Sequence, residues 1–125
     1  MASRSILYFA DLTGCEALLA FSPDGIAEAF VSAIERAGGT IVKRASHHFP
    51  GGGLTCVLVL KESHAVLHTW PEFGTINIDI FSCTPRLRGL EVIDELTRLF
   101  GAQHVSTQQH RRADSARIDP DDADA

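Results

Sequence analysis

Lys61 to Glu72 reads KESHAVLHTWPE, and what flanks it makes it the centre of a sheet. A run of apolar β-formers, Leu54 to Leu60, leads into it, in a strand expected over Leu54 to Lys61. Ala65 to Trp70 forms a second short β-like run within it, and Thr75 to Cys83 forms a third beyond it. The first and third runs alternate with β-branched residues, the pattern of strands with two unlike faces. The links between the runs are short and hairpin-like, which predicts antiparallel pairing. A serine, Ser63, two histidines, His64 and His68, and a cysteine, Cys83, fall near the strand ends. Packing alone does not require that much chemistry in one place.

Hairpin register decides which of these side chains can meet. A connection from Pro71 to Ile76 predicts Trp70 opposite Asn77, His68 opposite Asp79 and His64 opposite Cys83. Cross-strand partners share a face, as does every second residue along a strand. His68, Trp70, Asn77, Asp79, Phe81 and Cys83 are then expected on one face. A slip of one residue would send Cys83 to the face opposite His68.

Working outward, Ile6 to Leu12 reads as a strand closed by a turn over Asp11 to Cys15, and Glu16 to Phe21 fits no single element. Ser22-Pro23 starts a helix, with Ser22 as its N-cap and Pro23 at its first position. Ile26, Phe30 and Ile34 recur at helical spacing, with Ala27 and Val31 beside them, and Gly38-Gly39 ends the helix. Thr40 to Arg44 is a short strand, and Ala45 to Gly53 (ASHHFPGGG) a loop whose glycines permit close backbone approach. A second helix is expected from about Arg86 to Phe100, buried through Leu87, Leu90, Ile93, Leu96 and Phe100 and ended by Gly101. Gln103 to Thr107 reads as a last strand, and Gln108 to Ala125 as a mostly disordered acidic tail. The domain is thus expected over residues 1–107 and the tail over 108–125. The fold class is α+β, a two-layer α/β sandwich with a mostly antiparallel sheet and both helices on one face. The other face has no cover, and an open apolar face predicts a homodimer with sheet facing sheet.

A chain of 125 residues with 45% hydrophobic content suits one modest core. Its net charge of -5, concentrated in part at Asp119, Asp121, Asp122 and Asp124, argues against a nucleic-acid partner of the usual basic kind. No apolar run approaches the ~18 residues of a membrane span. MASRSILYFADL has no long apolar core and no small-residue cleavage site, so no signal peptide is expected. The three cysteines, Cys15, Cys56 and Cys83, form no CxxC pair, and reduced cytoplasmic thiols are the simplest reading.

Residue types alone leave three alternatives open. One is a Cys83/His68/Asp79 hydrolase with a thiolate nucleophile. Another is a metal site from His47, His48, His64 and His68, although these lack a recognised ligand spacing and no metal is expected. The third is a buried thiol, a hydrogen-bonded histidine and a serine in a turn.

Glu62-Ser63-His64, His68-Thr69-Trp70-Pro71-Glu72 and Asp79-Ile80-Phe81-Ser82-Cys83 together resemble the prokaryotic S-adenosylmethionine decarboxylase proenzymes. Ala10 to Cys15, His48-Phe49-Pro50 and Gly53 extend the resemblance, which runs from about residue 6 to about residue 107. It implies a self-cleaving enzyme of spermidine synthesis with a pyruvoyl cofactor derived from Ser63. On that pattern Ser63 attacks the carbonyl of Glu62, Thr55 stabilises the oxyanion, and His68 accepts the Ser63 α-proton as the Glu62–Ser63 bond is cut. The pyruvoyl carbonyl then forms a Schiff base with S-adenosylmethionine, and Cys83 donates the proton after decarboxylation. Phe49 matches the adenine-stacking aromatic and Glu72 the carboxylate on the ribose hydroxyls. The chain departs from the pattern at Thr55, where serine is usual, at Leu7, where relatives carry histidine, and at Thr84-Pro85, where many carry glycine. Gly51-Gly52-Gly53 is also unusually glycine-rich. Relatives on this scaffold decarboxylate arginine or ornithine, and these stand as alternative substrates. An unprocessed, non-catalytic regulatory paralogue is the remaining alternative.

Overall fold

The computed structural model describes residues 5–113. Six strands form one sheet: β1 (Ser5–Thr13), β2 (Ile41–His48), β3 (Leu54–Leu60), β4 (Ser63–Trp70), β5 (Thr75–Ser82) and β6 (His104–Arg112). Their spatial order is β2-β3-β4-β5-β1-β6, and every neighbouring pair is antiparallel. Helices α1 (Pro23–Arg36) and α2 (Gly89–Phe100) pack on one face, giving the two-layer sandwich the sequence predicts.

The core lies between that face and the helices. Strict alternation puts Cys56 and Leu58 of β3, Leu67 of β4, and Ile78 and Ile80 of β5 on the covered side, all fully buried. Phe30 and Ile34 of α1 and Leu96 and Phe100 of α2 meet them. Burying a side chain of this size contributes about 1.5–3 kcal/mol. Ser22 caps α1 as expected: its Oγ accepts a hydrogen bond from the Gly25 N–H at 3.0 Å, and Pro23 opens the helix.

Two glycines set how closely the layers approach. A Cβ on Gly89 would stand 2.6 Å from the Tyr8 ring, so only glycine lets the first turn of α2 rest on β1. Gly38 has φ +98°, and a Cβ there would lie 1.9 Å from the Arg86 carbonyl oxygen. This contact holds the end of α1 against the segment after β5, which walls one side of Glu62-Ser63.

Several expectations need correction. β2 continues to His48, so His47 and His48 belong to a strand paired with Thr55 and Leu54 rather than to a loop. α2 begins at Gly89 instead of Arg86, and Leu90 points outward, 44% exposed, while Val92 is fully buried. β6 runs to Arg112, so residues 108–112, assigned to the tail, pair with β1 through Ser5 to Phe9. The rest of the tail, residues 114–125, lies outside the described residues.

Candidate active site

Two groups of reactive side chains form at opposite ends of β4. At its start, β3 and β4 are joined by only Lys61 and Glu62, with Leu60 paired to Ser63. Cys83 follows directly after β5, and its backbone N–H donates to Ser63 Oγ at 3.2 Å. Gly39, Thr40, Lys61, Glu62, Ser63 and Arg86 line a recess of about 60 Å³ here, on the helix side of the sheet edge. Glu62 has φ +65° and is the one non-glycine residue in the left-handed region among those described.

The second group sits at the far end of β4 on the uncovered face. Thr55 and His68 are direct partners across β3 and β4, with Thr55 Oγ1 2.6 Å from His68 Nδ1. The Trp70 ring lies 4.5 Å from His68, Phe49 5.8 Å from it, and His47 4.6 Å from Phe49. Phe49, Pro50, His68, Trp70 and Glu72 line a recess of about 240 Å³. An aromatic wall with a carboxylate at its rim suits a flat, polar-edged ligand. Trp70 Nε1–H donates to Asn77 Oδ1 at 2.7 Å, and Asn77 Nδ2–H donates to Asp11 Oδ1 at 2.8 Å. This relay anchors the indole against His68. Residue order alone gave Asn77 a place on this face but no hint of the three-residue chain.

These groups do not meet within one chain. Ser63 and His68 are five positions apart on one strand, about 17 Å at strand rise, and an odd spacing puts their side chains on opposite faces. The hairpin register also differs from expectation. Trp70 pairs with Thr75, His68 with Asn77 and His64 with Phe81, because a 3-10 turn over Pro71–Phe73 and left-handed Gly74 closes the hairpin early. The shift is by two residues, so the predicted face is unchanged while His68 and Cys83 lie farther apart.

The residue-only alternatives fare differently. Asp79 faces Val66 rather than His68, and six residues separate Cys83 from His68's partner Asn77, so no Cys83/His68/Asp79 triad assembles in one chain. Although its side chain reaches solvent, partial burial pushes the Asp79 carboxyl up. Asp11 adds to that shift and His64 opposes it. His48 turns to the helix side, 3.3 Å from Asp24, away from His47 and His68. No group of three potential metal ligands occurs among the described residues. Burial also raises the pKa of the Cys56 and Cys15 thiols, which sit in the core, away from both groups. Cys83 is the one partly exposed cysteine.

Comparison with known proteins gives these motifs a family. A relative from Acidithiobacillus ferrooxidans, an S-adenosylmethionine decarboxylase proenzyme, is 34% identical over 103 residues, covering 82% of this chain and 77% of that protein. Proenzymes of the same description from Acetivibrio thermocellus and Methanococcus maripaludis are each 31% identical, covering 82% of this chain and 83% and 84% of their own lengths. The crystal structure of the adenosylmethionine decarboxylase from Aquifex aeolicus superposes with a TM-score of 0.80 over 95% of this chain and 98% of its own. At 23% identity, that likeness speaks for the fold. The model of the S-adenosylmethionine decarboxylase family matches residues 7–113, a span that takes in β1 through β6 and both reactive groups, and the chain belongs to that family.

Proposed function

We propose that this chain is the precursor of a pyruvoyl-dependent S-adenosylmethionine decarboxylase that cuts itself between Glu62 and Ser63. The observation that carries the reading is the Ser63 hydroxyl at a tight two-residue turn, accepting the Cys83 N–H at 3.2 Å beside the one partly exposed thiol. A serine hydroxyl next to its own peptide carbonyl is the starting material for a pyruvoyl group, so the residues fit that cofactor.

In processing, Ser63 Oγ bonds to the Glu62 carbonyl carbon. Its proton passes to the Ser63 nitrogen as the C–N bond breaks, and the peptide becomes an ester. A base then removes the Ser63 α-proton, the Cβ–Oγ bond breaks, and Glu62 departs as a carboxylate. The residue left at position 63 takes up water and loses ammonia. Thr55 and His68 have the chemistry for two of these tasks. With His68 Nδ1–H donating to Thr55 Oγ1, the threonine O–H is free for the oxyanion and Nε2 is free to accept the α-proton.

The distance between the groups supports an assembly of two copies. Thr55 and His68 reach a serine only if a second copy supplies it, so the active unit is a homodimer with open faces opposed. The uncovered face supports this: Val57 and Val59 are 36% and 45% exposed, and Phe9, Val66 and Phe81 lie on the same side. Ser63 opens β4 and Cys83 lies just past β5, both at the rim of the sheet, where a two-fold arrangement can bring them to Thr55, His68, Phe49 and Glu72 of the other copy.

In the decarboxylation, the pyruvoyl group supplies an electrophilic carbonyl that accepts the electron pair released as the carboxyl group leaves. Phe49 stacks on the adenine, Glu72 accepts hydrogen bonds from the ribose hydroxyls, and Cys83 Sγ holds the proton that replaces the carboxyl group. Carbon dioxide release from carboxyl-labelled S-adenosylmethionine, arginine and ornithine tests the substrate. Release from S-adenosylmethionine alone is expected, and release only from one of the basic amino acids would reassign it.

A further inference from the structure

The scissile turn has a feature that chemistry at Ser63 does not explain. Seven described residues have positive φ; six are glycines and the seventh is Glu62, at +65°. In the left-handed conformation a side chain's Cβ crowds the carbonyl oxygen of its own residue. At Glu62 that oxygen belongs to the bond to be cut.

The surroundings hold the residue there. Leu60 pairs with Ser63 across the turn, and the Lys61 N–H donates to the Thr40 carbonyl at 2.9 Å. The Cys83 N–H fixes Ser63 Oγ on the far side. A two-residue hairpin link whose second residue is left-handed asks for glycine or asparagine at that position. Glutamate has neither the freedom of the first nor the short amide of the second. Strained backbone persists only where neighbours over-determine it, and it collects at reactive sites.

We infer that the left-handed backbone of Glu62 is a processing device: it strains the scissile carbonyl in the uncut chain, and Oγ attack releases that strain. As the carbonyl carbon becomes tetrahedral its oxygen moves away from Cβ, and breaking the C–N bond frees the residue from the turn. Glu62 then acts through its backbone geometry rather than its carboxylate. This rests on the self-cleavage proposed above.

The test separates geometry from side-chain chemistry by comparing Glu62→Gly, Glu62→Ala and Glu62→Gln, following loss of the intact chain by mass spectrometry. Glycine removes the strain; alanine and glutamine keep it. Glu62→Gly is expected to cut about tenfold more slowly than Glu62→Ala and Glu62→Gln, equivalent to about 1.4 kcal/mol in barrier. Glu62→Gly cutting as fast as the parent, or all three slowing alike, would overturn the inference. A second measurement needs no cleavage. In a Ser63→Ala background, Glu62→Gly is expected to raise Tm and Glu62→Ala to leave it unchanged, and an unchanged Tm for Glu62→Gly would equally count against the device. An uncut parent chain would instead remove the self-cleavage reading, and this inference with it.

Discussion

Thr55 and His68 show how much depends on one hydroxyl. Thr55 Oγ1 lies 2.6 Å from His68 Nδ1, which leaves Nε2 as the ring nitrogen without this partner. Thr55→Val keeps the shape and removes the hydroxyl. It should slow self-cleavage by about a hundredfold or more, the usual loss for one oxyanion donor. Thr55→Ser should cleave at close to the parent rate. First-order decay of the intact chain measures both, and a Thr55→Val protein that cuts normally would strip Thr55 of its role. At this scale the sequence was informative: Ser63, His68, Cys83, Phe49 and Glu72 stand out by residue type and motif. It was silent on the Glu62 backbone, because a positive φ at glutamate arises from a turn closed on both sides and not from the residue's own preference.

Among the elements, strand alternation carried most of the fold. The alternating residues of β3 and β5 identify their buried faces, and the Ser22-Pro23 start of α1 is correct to the residue. Three details did not follow from alternation, one set by a local turn and two by contacts that lie far apart in sequence. The hairpin between β4 and β5 closes two residues early because the 3-10 turn over Pro71–Phe73 tightens it. β6 extends through a polar run because β1 supplies its hydrogen-bonding partner. Leu90 faces outward because α2 begins at Gly89, pressed onto Tyr8, and that contact fixes the helix's rotation. Gly89→Ala should therefore cost about 1–3 kcal/mol by overpacking against the Tyr8 ring. Urea unfolding of the uncut Ser63→Ala protein with and without this change measures it, and an unchanged midpoint would mean the helix can shift without penalty.

The molecule as a whole presents a covered face that holds it together and an uncovered face that carries Thr55, His68 and Trp70, with Ser63 turned to the other side at the far end of β4. Residue patterns located both faces, but they could not show that Ser63 and His68 point away from each other about 17 Å apart. That separation turns a list of motif residues into a statement about assembly. Co-expression of a Ser63→Ala chain with a His68→Ala chain should yield cleavage of the His68→Ala chain only, in mixed dimers, because its serine meets an intact histidine on its partner. Each variant alone should stay uncut. A mixture in which neither chain is cut would place the whole site in one copy. The most direct measurement is the intact mass of the purified parent protein. Two fragments are expected: residues 1–62 ending in a free Glu62 carboxylate, and residues 63–125 starting with a blocked group lighter than serine by one ammonia. A single uncut chain would contradict a pyruvoyl enzyme made from Ser63.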